Sequence, residues 1–397
     1  NTSMNCQELR QDITSYKAQI EHNQHLLEQI EQTTQKPATY SAFLQQVQIS
    51  SDELLTKHLA DIYANYPELN NYTGVENIKN LNLGMEFITA STRFSDRSIL
   101  FAGADGEKQI ITFTESGDID HKENTNEVTP AIMSACQLFD GRAVFGGWSG
   151  ELKIATRTNN DGIDFSQKIN GFGGDIYAIE KLSDGQLVVG GASGETHILT
   201  IDNNGHARLS EQIDGFDGDI KAIGQLSNQR VLVGGTSGEM HILGLSDNNQ
   251  AKYGEKIEGL TNGILSTVQL SDAYAIVGGY DGEGCILATN DSDATCVEYL
   301  EGIDNDIQRI LRLSDRQALL CCSDGQMILV SINQNGKVSD YQHFKGVAGD
   351  FVHPVRLSNE RILIANNQGE ASLFKLTTAE PSLDHLKQNL DKLVGEP

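Results

Sequence analysis

The sequence predicts a mainly β chain, a seven-bladed β-propeller of four-stranded antiparallel blades, with an α-helical region before it and a short helix after it. Three observations carry this. A glycine-led turn, Gly-Glu in all but one unit, recurs at Gly106-Glu107, Gly150-Glu151, Gly194-Glu195, Gly238-Glu239, Gly282-Glu283, Gly325-Gln326 and Gly369-Glu370, in steps of 44, 44, 44, 44, 43 and 44 residues. A second marker keeps the same step, from Phe94-Ser95-Asp96 through Leu182-Ser183-Asp184 and Leu270-Ser271-Asp272 to Leu357-Ser358-Asn359. Between the markers lie short, turn-bounded apolar runs such as Leu187-Val188-Val189 and Val231-Leu232-Val233, of strand rather than helix length. A fixed period of this size is the signature of a repeat architecture, and four strands per period make one propeller blade.

Taken in chain order, residues 1–70 read as a helical, coiled-coil appendage. Cys6, Leu9, Ile13, Tyr16, Ile20, Leu27 and Ile30 fall on a heptad seam broken by one polar residue, Asn23. Pro37 ends it, and the capping box Ser50…Glu53 opens a second helix to Tyr66 with Leu54, Leu55, Leu59 and Ile62 on one face. The seam over residues 6–30 has two readings: it packs within a helical bundle, or it joins a second copy of the chain.

Residues 75–376 read as the propeller. One unit runs as strand a (176–182), a turn at Ser183-Asp184-Gly185, strand b (186–191), a turn at Ser193-Gly194, strand c (195–201), a loop at 202–205 and strand d (207–213). The last unit has no strand d of its own. Val75 to Leu81 matches that strand in other units, so residues 75–81 are expected to complete the seventh blade and remove an unpaired edge. Residues 380–397 are expected to be a C-terminal helix and tail, which Ser382 can cap, with Leu383, Leu386, Leu390 and Leu393 along one stripe.

The unit resembles the WD-repeat propeller family, which also runs apolar segment, Ser-Asp-Gly turn, apolar segment, Gly-small pair, Asp-Gly turn, apolar segment; the likeness spans residues 75–376. The family's Trp-Asp ending of strand c is replaced here by Leu199-Thr200 and Leu243-Gly244. Its Gly-His pair before strand a is replaced by Gly174-Asp175 and Gly218-Asp219. The resemblance therefore implies the ring, and with it a protein-binding role, without the family's internal hydrogen-bond network.

Composition narrows the partners. Of 397 residues, 55 are acidic and 29 basic, a formal charge of −26, and such a surface repels phosphate backbones and anionic headgroups. Neither nucleic acid nor membrane insertion is expected, and no run of 18 apolar residues exists. Six cysteines form no CxxC pair and read as reduced, mostly buried small hydrophobes in a cytoplasmic protein. The N-terminus lacks a signal-peptide pattern, while an Asn rather than a Met at residue 1 is compatible with a leader removed before it.

No catalytic signature is present: there is no Gly-x-Ser-x-Gly, no His-Glu-x-x-His and no spaced Cys/His set, and no cofactor or metal is expected. The recurring Gly190-Gly191-Ala192-Ser193-Gly194 opens a strand rather than a helix, so it is read as blade packing and not as a phosphate loop. His197 and His241 occupy one position in successive blades, where they are neighbours able to pair, but their counterparts are not ligands. Asp175, Asp219, Asp306 and Asp350 precede strand a. With Glu107, Glu151, Glu195, Glu239, Glu283 and Glu370 they are expected to converge on one face, beside the turn aromatics Trp148 and Tyr280. The reading that follows is a non-catalytic scaffold whose acidic face binds a protein through a basic segment. Two alternatives stand beside it: a bacterial effector acting on host proteins in a host cytosol, to which the Asn/Gln-rich composition and acidic tail bear a resemblance, and an enzyme with its site in the central channel.

Overall fold

The computed structural model describes residues 70–379, apart from 96, 125–129, 139–140, 158–162, 203, 228, 246–250 and 291–292. The helices expected in 1–70 and 380–397, the seam at 6–30 and Cys6 lie outside the described residues. Residues 72–377 form one compact unit.

Seven four-stranded antiparallel sheets make the ring. Blades 1 to 6 span residues 88–124, 132–169, 176–209, 220–256, 264–299 and 307–345; blade 7 takes its inner three strands from 352–378 and its outer strand from Tyr72–Asn82. Blade 3 shows the local logic: Ile176–Lys181, Leu187–Gly191, Thr196–Ile201 and Ala207–Leu209 pair in sequence. Strand d is shorter than the 207–213 read from the sequence. The Ser210 amide still donates to the Ile198 carbonyl at 2.8 Å, but the Ser210 hydroxyl takes the Ile198 amide at 2.9 Å, and the next backbone bond is from the Ile213 amide to the Thr196 carbonyl.

The core lies between blades rather than inside any one of them. Each of seven clusters joins two neighbours: Ala178, Leu182, Val188 and Ile198 of blade 3 pack on Ile220, Ile223, Val231 and Val233 of blade 4, and Leu363, Ala365 and Leu373 of blade 7 pack on Ile88, Ile99 and Phe101 of blade 1. The contact that sets the spacing is short. A Cβ added at Gly146, Gly190, Gly234 or Gly278 would stand 2.3, 2.8, 2.7 or 2.6 Å from the first isoleucine of the next blade, Ile176, Ile220, Ile264 or Ile307. Alanine fills the position at Ala102 and Ala365 and cysteine at Cys321. Cys321 and its neighbour Cys322 face opposite clusters, as alternation along a strand requires.

The outer strand of blade 7 is anchored at both ends. Tyr72 is fully buried and packs with Val75 against Leu319, Cys321 and Leu329 of blade 6. The Gln317 amide donates to the Tyr72 carbonyl at 2.8 Å, Arg356 bonds to the Tyr72 hydroxyl, and Ser372 donates to Asn80 at 2.8 Å. Tyr72→Ala should therefore cost about 3–5 kcal/mol, the range for truncating a buried aromatic. Denaturant unfolding should show the loss, and hydrogen exchange should show it centred on blades 6 and 7.

Candidate partner-binding face and central channel

All seven b–c turns meet the loops that enter strand a, at one end of the ring. The turn glycine is required there twice over. Gly194 has φ of 75°, and a Cβ on it would sit 2.0 Å from the Phe216 carbonyl oxygen of the next entering loop. The residue before it also takes a left-handed conformation in three blades, Ser149, Ser193 and Asp281, with φ near 55°.

These turns are pinned by the repeated carboxylates. Asp175 accepts the Ser149 amide of the preceding blade at 2.8 Å, Asp219 accepts that of Ser193 at 3.0 Å, and Asp306 that of Asp281 at 2.9 Å. The glutamates fasten the entering loops. Glu195 accepts the amides of Gly173 and Gly174 at 2.8 and 2.7 Å, Glu283 those of Thr261 and Asn262 at 2.8 and 2.9 Å, and Glu239 a longer bond from Asp217 at 3.4 Å. Glu151 instead pairs with Lys168 at 2.9 Å and Lys153 at 3.4 Å, and Glu370 accepts the Asn366 side-chain amide at 3.0 Å. Glu107 has two acidic neighbours, Asp105 and Glu86, and partial burial together with their charge raises its pKa. At Glu283 the donors from Thr261 and Asn262 outweigh desolvation and lower the pKa, and the lysines do the same at Glu151.

Two positions differ from the sequence reading. Residue 350 is not the counterpart of the other aspartates: strand a of blade 7 starts at Val352, so Phe351 occupies that place. His197 and His241 do not pair with each other. Each spans its own blade, with Nδ1 donating to the carbonyl of Ser210 or Gly254 at 2.9 Å and Nε2 lying 3.2 or 2.7 Å from Glu195 or Glu239. Among the described residues no group of three or more His, Cys, Asp or Glu is placed to hold a metal ion.

Both turn aromatics are exposed, Trp148 at 50% and Tyr280 at 36%, and the Tyr280 ring lies against Gly263, where a Cβ would come within 2.9 Å of it. Sequence reasoning missed two further aromatics on the same end. Phe87 and Phe351, 58% and 37% exposed, stand immediately before strand a in blades 1 and 7. Their carbonyls accept the turn amides of Ala104 and Asn367 at 2.9 and 3.0 Å. The signal was available as a break in the repeat: phenylalanine stands where blades 3, 4 and 6 carry aspartate.

Comparison with known proteins bears on the fold. No protein-family model matches the chain, and no curated protein matches its sequence. Among solved structures, the WD40 β-propeller domain of Doa1 is similar, with a TM-score of 0.60 at 14% identity over 77% of this chain and 98% of that one. The likeness is one of fold: a WD-repeat-like seven-bladed ring. The Asp and Glu latches occupy the end of the ring where that family's Gly-His pair would stand.

The ring surrounds a central cavity of about 240 Å³, lined by strand a of all seven blades. In six blades a bulge follows the first residue of strand a, for example between Ile176 and Ala178 and between Ile307 and Arg309. The lining is far less uniform than the turns. It includes Tyr177, Glu180, Lys221, Arg309 and His353. The Lys221 ammonium sits 2.9 Å from the centroid of the Tyr177 ring. Burial, with Arg309 adding to it, pushes the His353 imidazole down to about 3, so it stays neutral and its Nε2 donates to the Ile88 carbonyl at 3.3 Å. Burial raises the Glu180 carboxyl from 4.5 to about 7, against the lowering effect of the Gln225 amide and Lys181.

The Glu180 shift has a sign. A folded-state pKa above the unfolded one gives stability that is present at low pH and is lost as pH rises from about 4.5 through about 7. Relative to Glu180→Gln, the wild-type chain should therefore lose roughly 2–3 kcal/mol between pH 4.5 and 8. Paired melting curves of the two proteins across that range measure the difference.

Proposed function

We propose that the protein is a non-catalytic platform that binds another protein through the end of the ring bearing the b–c turns. Trp148 and Tyr280 are its apolar anchors, joined by Phe87 and Phe351. The observation that carries this is the exposure of four large aromatics at positions held by backbone hydrogen bonds, since an aromatic presented on a rigid turn loses little conformational entropy when it docks. The solved propeller resembling this one belongs to a fold commonly used as a protein-interaction scaffold, which supports the same reading.

In this proposal Glu107, Glu151, Glu195, Glu239, Glu283 and Glu370 act as a field rather than as individual contacts. Together this ring of carboxylates favours a Lys/Arg-rich segment of the partner. Fluorescent Lys/Arg-rich peptides offered to the full chain should bind with an affinity that falls as salt rises. Trp148→Ala should weaken that binding by about 2 kcal/mol, roughly thirtyfold, without changing the melting temperature. Unaltered binding by Trp148→Ala and Tyr280→Ala would place the functional surface elsewhere.

The seam at residues 6–30 joins two copies in the same proposal. Light scattering should then give a dimer for the full chain and a monomer once residues 1–68 are removed; equal association states would exclude a coiled-coil dimer.

A further inference from the structure

The backbone contact between b–c turn and entering loop recurs in all seven blades, whereas the cavity wall departs from the repeat, and the largest departure is Arg309. At its position in strand a the other blades carry Ala90, Ser134, Ala178, Ala222, Ser266 and His353, of which only His353 is large, and burial keeps that imidazole neutral. A guanidinium replaces a small side chain in one blade of seven, on a wall where every added atom takes space from the cavity.

Arg309 is also poorly compensated. Its Nη1 donates to the Gln308 carbonyl at 2.7 Å, and its neighbours include the neutral His353 and the thiol of Cys321. Among the described residues no carboxylate pairs with it. Glu180 lines the same cavity but does not contribute to the Arg309 environment, where desolvation dominates. Arg309 is half-buried at the cavity wall, and a guanidinium partly withdrawn from water without a counter-charge gains from an anion that enters the cavity. Ser266 and Thr267 line the same wall; the Ser266 hydroxyl accepts the Ile310 amide at 3.0 Å and the Thr267 hydroxyl is buried without a partner. Lys221 also lines the wall, where Asp219, 3.9 Å away, already offsets its charge and leaves Arg309 as the uncompensated cation.

We propose that the central cavity binds a small oxyanion, a carboxylate or phosphate group on a molecule of a few heavy atoms, with Arg309 as its counter-charge. The planar fork of a guanidinium matches both groups in bidentate geometry. A volume of about 240 Å³ lies just under the range of drug-sized ligand pockets and fits a ligand of this size. The site is independent of the partner-binding face: the proposed protein ligand is basic and docks on the turns, whereas this one is acidic and enters the channel.

Calorimetry on the full chain with sodium phosphate and with sodium succinate, at ionic strength held constant by sodium chloride, tests the proposal. Saturable binding of either probe is expected, and which one binds assigns the phosphate or the carboxylate class. Arg309→Ala and Arg309→Ser should fold as the wild type does, because other blades carry those residues there, and should bind at least tenfold more weakly. Arg309→Lys, which keeps the charge without the fork, should fall between. The proposal is overturned if neither probe binds, or if all the variants bind as tightly as the wild type, which would mean an adventitious ion only. Peptide binding by the same variants should be unchanged, so failure here is distinguishable from failure of the partner-binding reading.

Discussion

Everything in this ring depends on how closely one blade approaches the next. At the inner end of each strand b a small residue, Gly in four blades and Ala or Cys in the others, faces the first residue of the following blade's strand a. An extra methyl there would stand well inside van der Waals distance of an isoleucine whose own position is fixed by its cluster. Seven interfaces share this geometry, so the small residues set the pitch of the ring, and the apolar clusters that fill the spaces behind them supply the burial. A propeller has no central core; its cavity exists because the wedges meet at their inner edges before they can close completely.

The fold was legible because the features that determine it recur. The Gly-Glu turn and the Leu-Ser-Asp turn each answer to one backbone requirement, and a requirement imposed seven times leaves a period that no single-blade irregularity can hide. The length of strand d in blade 3 was not legible, since it depends on whether the Ser210 hydroxyl takes the Ile198 amide, a choice that apolar patterning does not record. The candidate face was legible in part. Trp148 was conspicuous as the single tryptophan. Phe87 and Phe351 escaped because a phenylalanine before an apolar strand reads as part of that strand, and its exposure follows from the loop conformation. Their carbonyl contacts with Ala104 and Asn367 appear only when the blades are set side by side.

The repeated acids carry a lesson about reading charge. A carboxylate that recurs in six blades of seven attracts a functional interpretation, yet Glu195, like Asp175 and Asp219, is engaged with backbone amides that would otherwise be unpaired at the ends of tight turns. These contacts cross from one blade to the next or to the loop entering it. The hydrogen-bonded unit is thus offset from the sheet: a blade's turn is completed by its successor. At these residues the side chains that carry charge are also the ones that hold the turns in place. The channel wall lies outside this arrangement, and it is there that individual side chains are released from the repeat and vary.

The joining of blade 7 from two distant segments has a consequence for biosynthesis. Asn80 and Ser372, hydrogen bonded across that blade, are 292 residues apart in the chain. As the polypeptide leaves the ribosome, the Tyr72–Asn82 segment emerges before any of the blades, with Tyr72 and Val75 lacking the cover that blade 6 later gives them. It stays without its partner strand until almost the whole ring has been translated, a sticky edge carried through several intermediate stages. At translation rates of about 5–20 residues per second that interval lasts roughly 15–60 seconds, long enough for pairing with a neighbouring nascent chain to compete with closure. The ring is complete only when this early strand has paired with the last one, Glu370–Thr378.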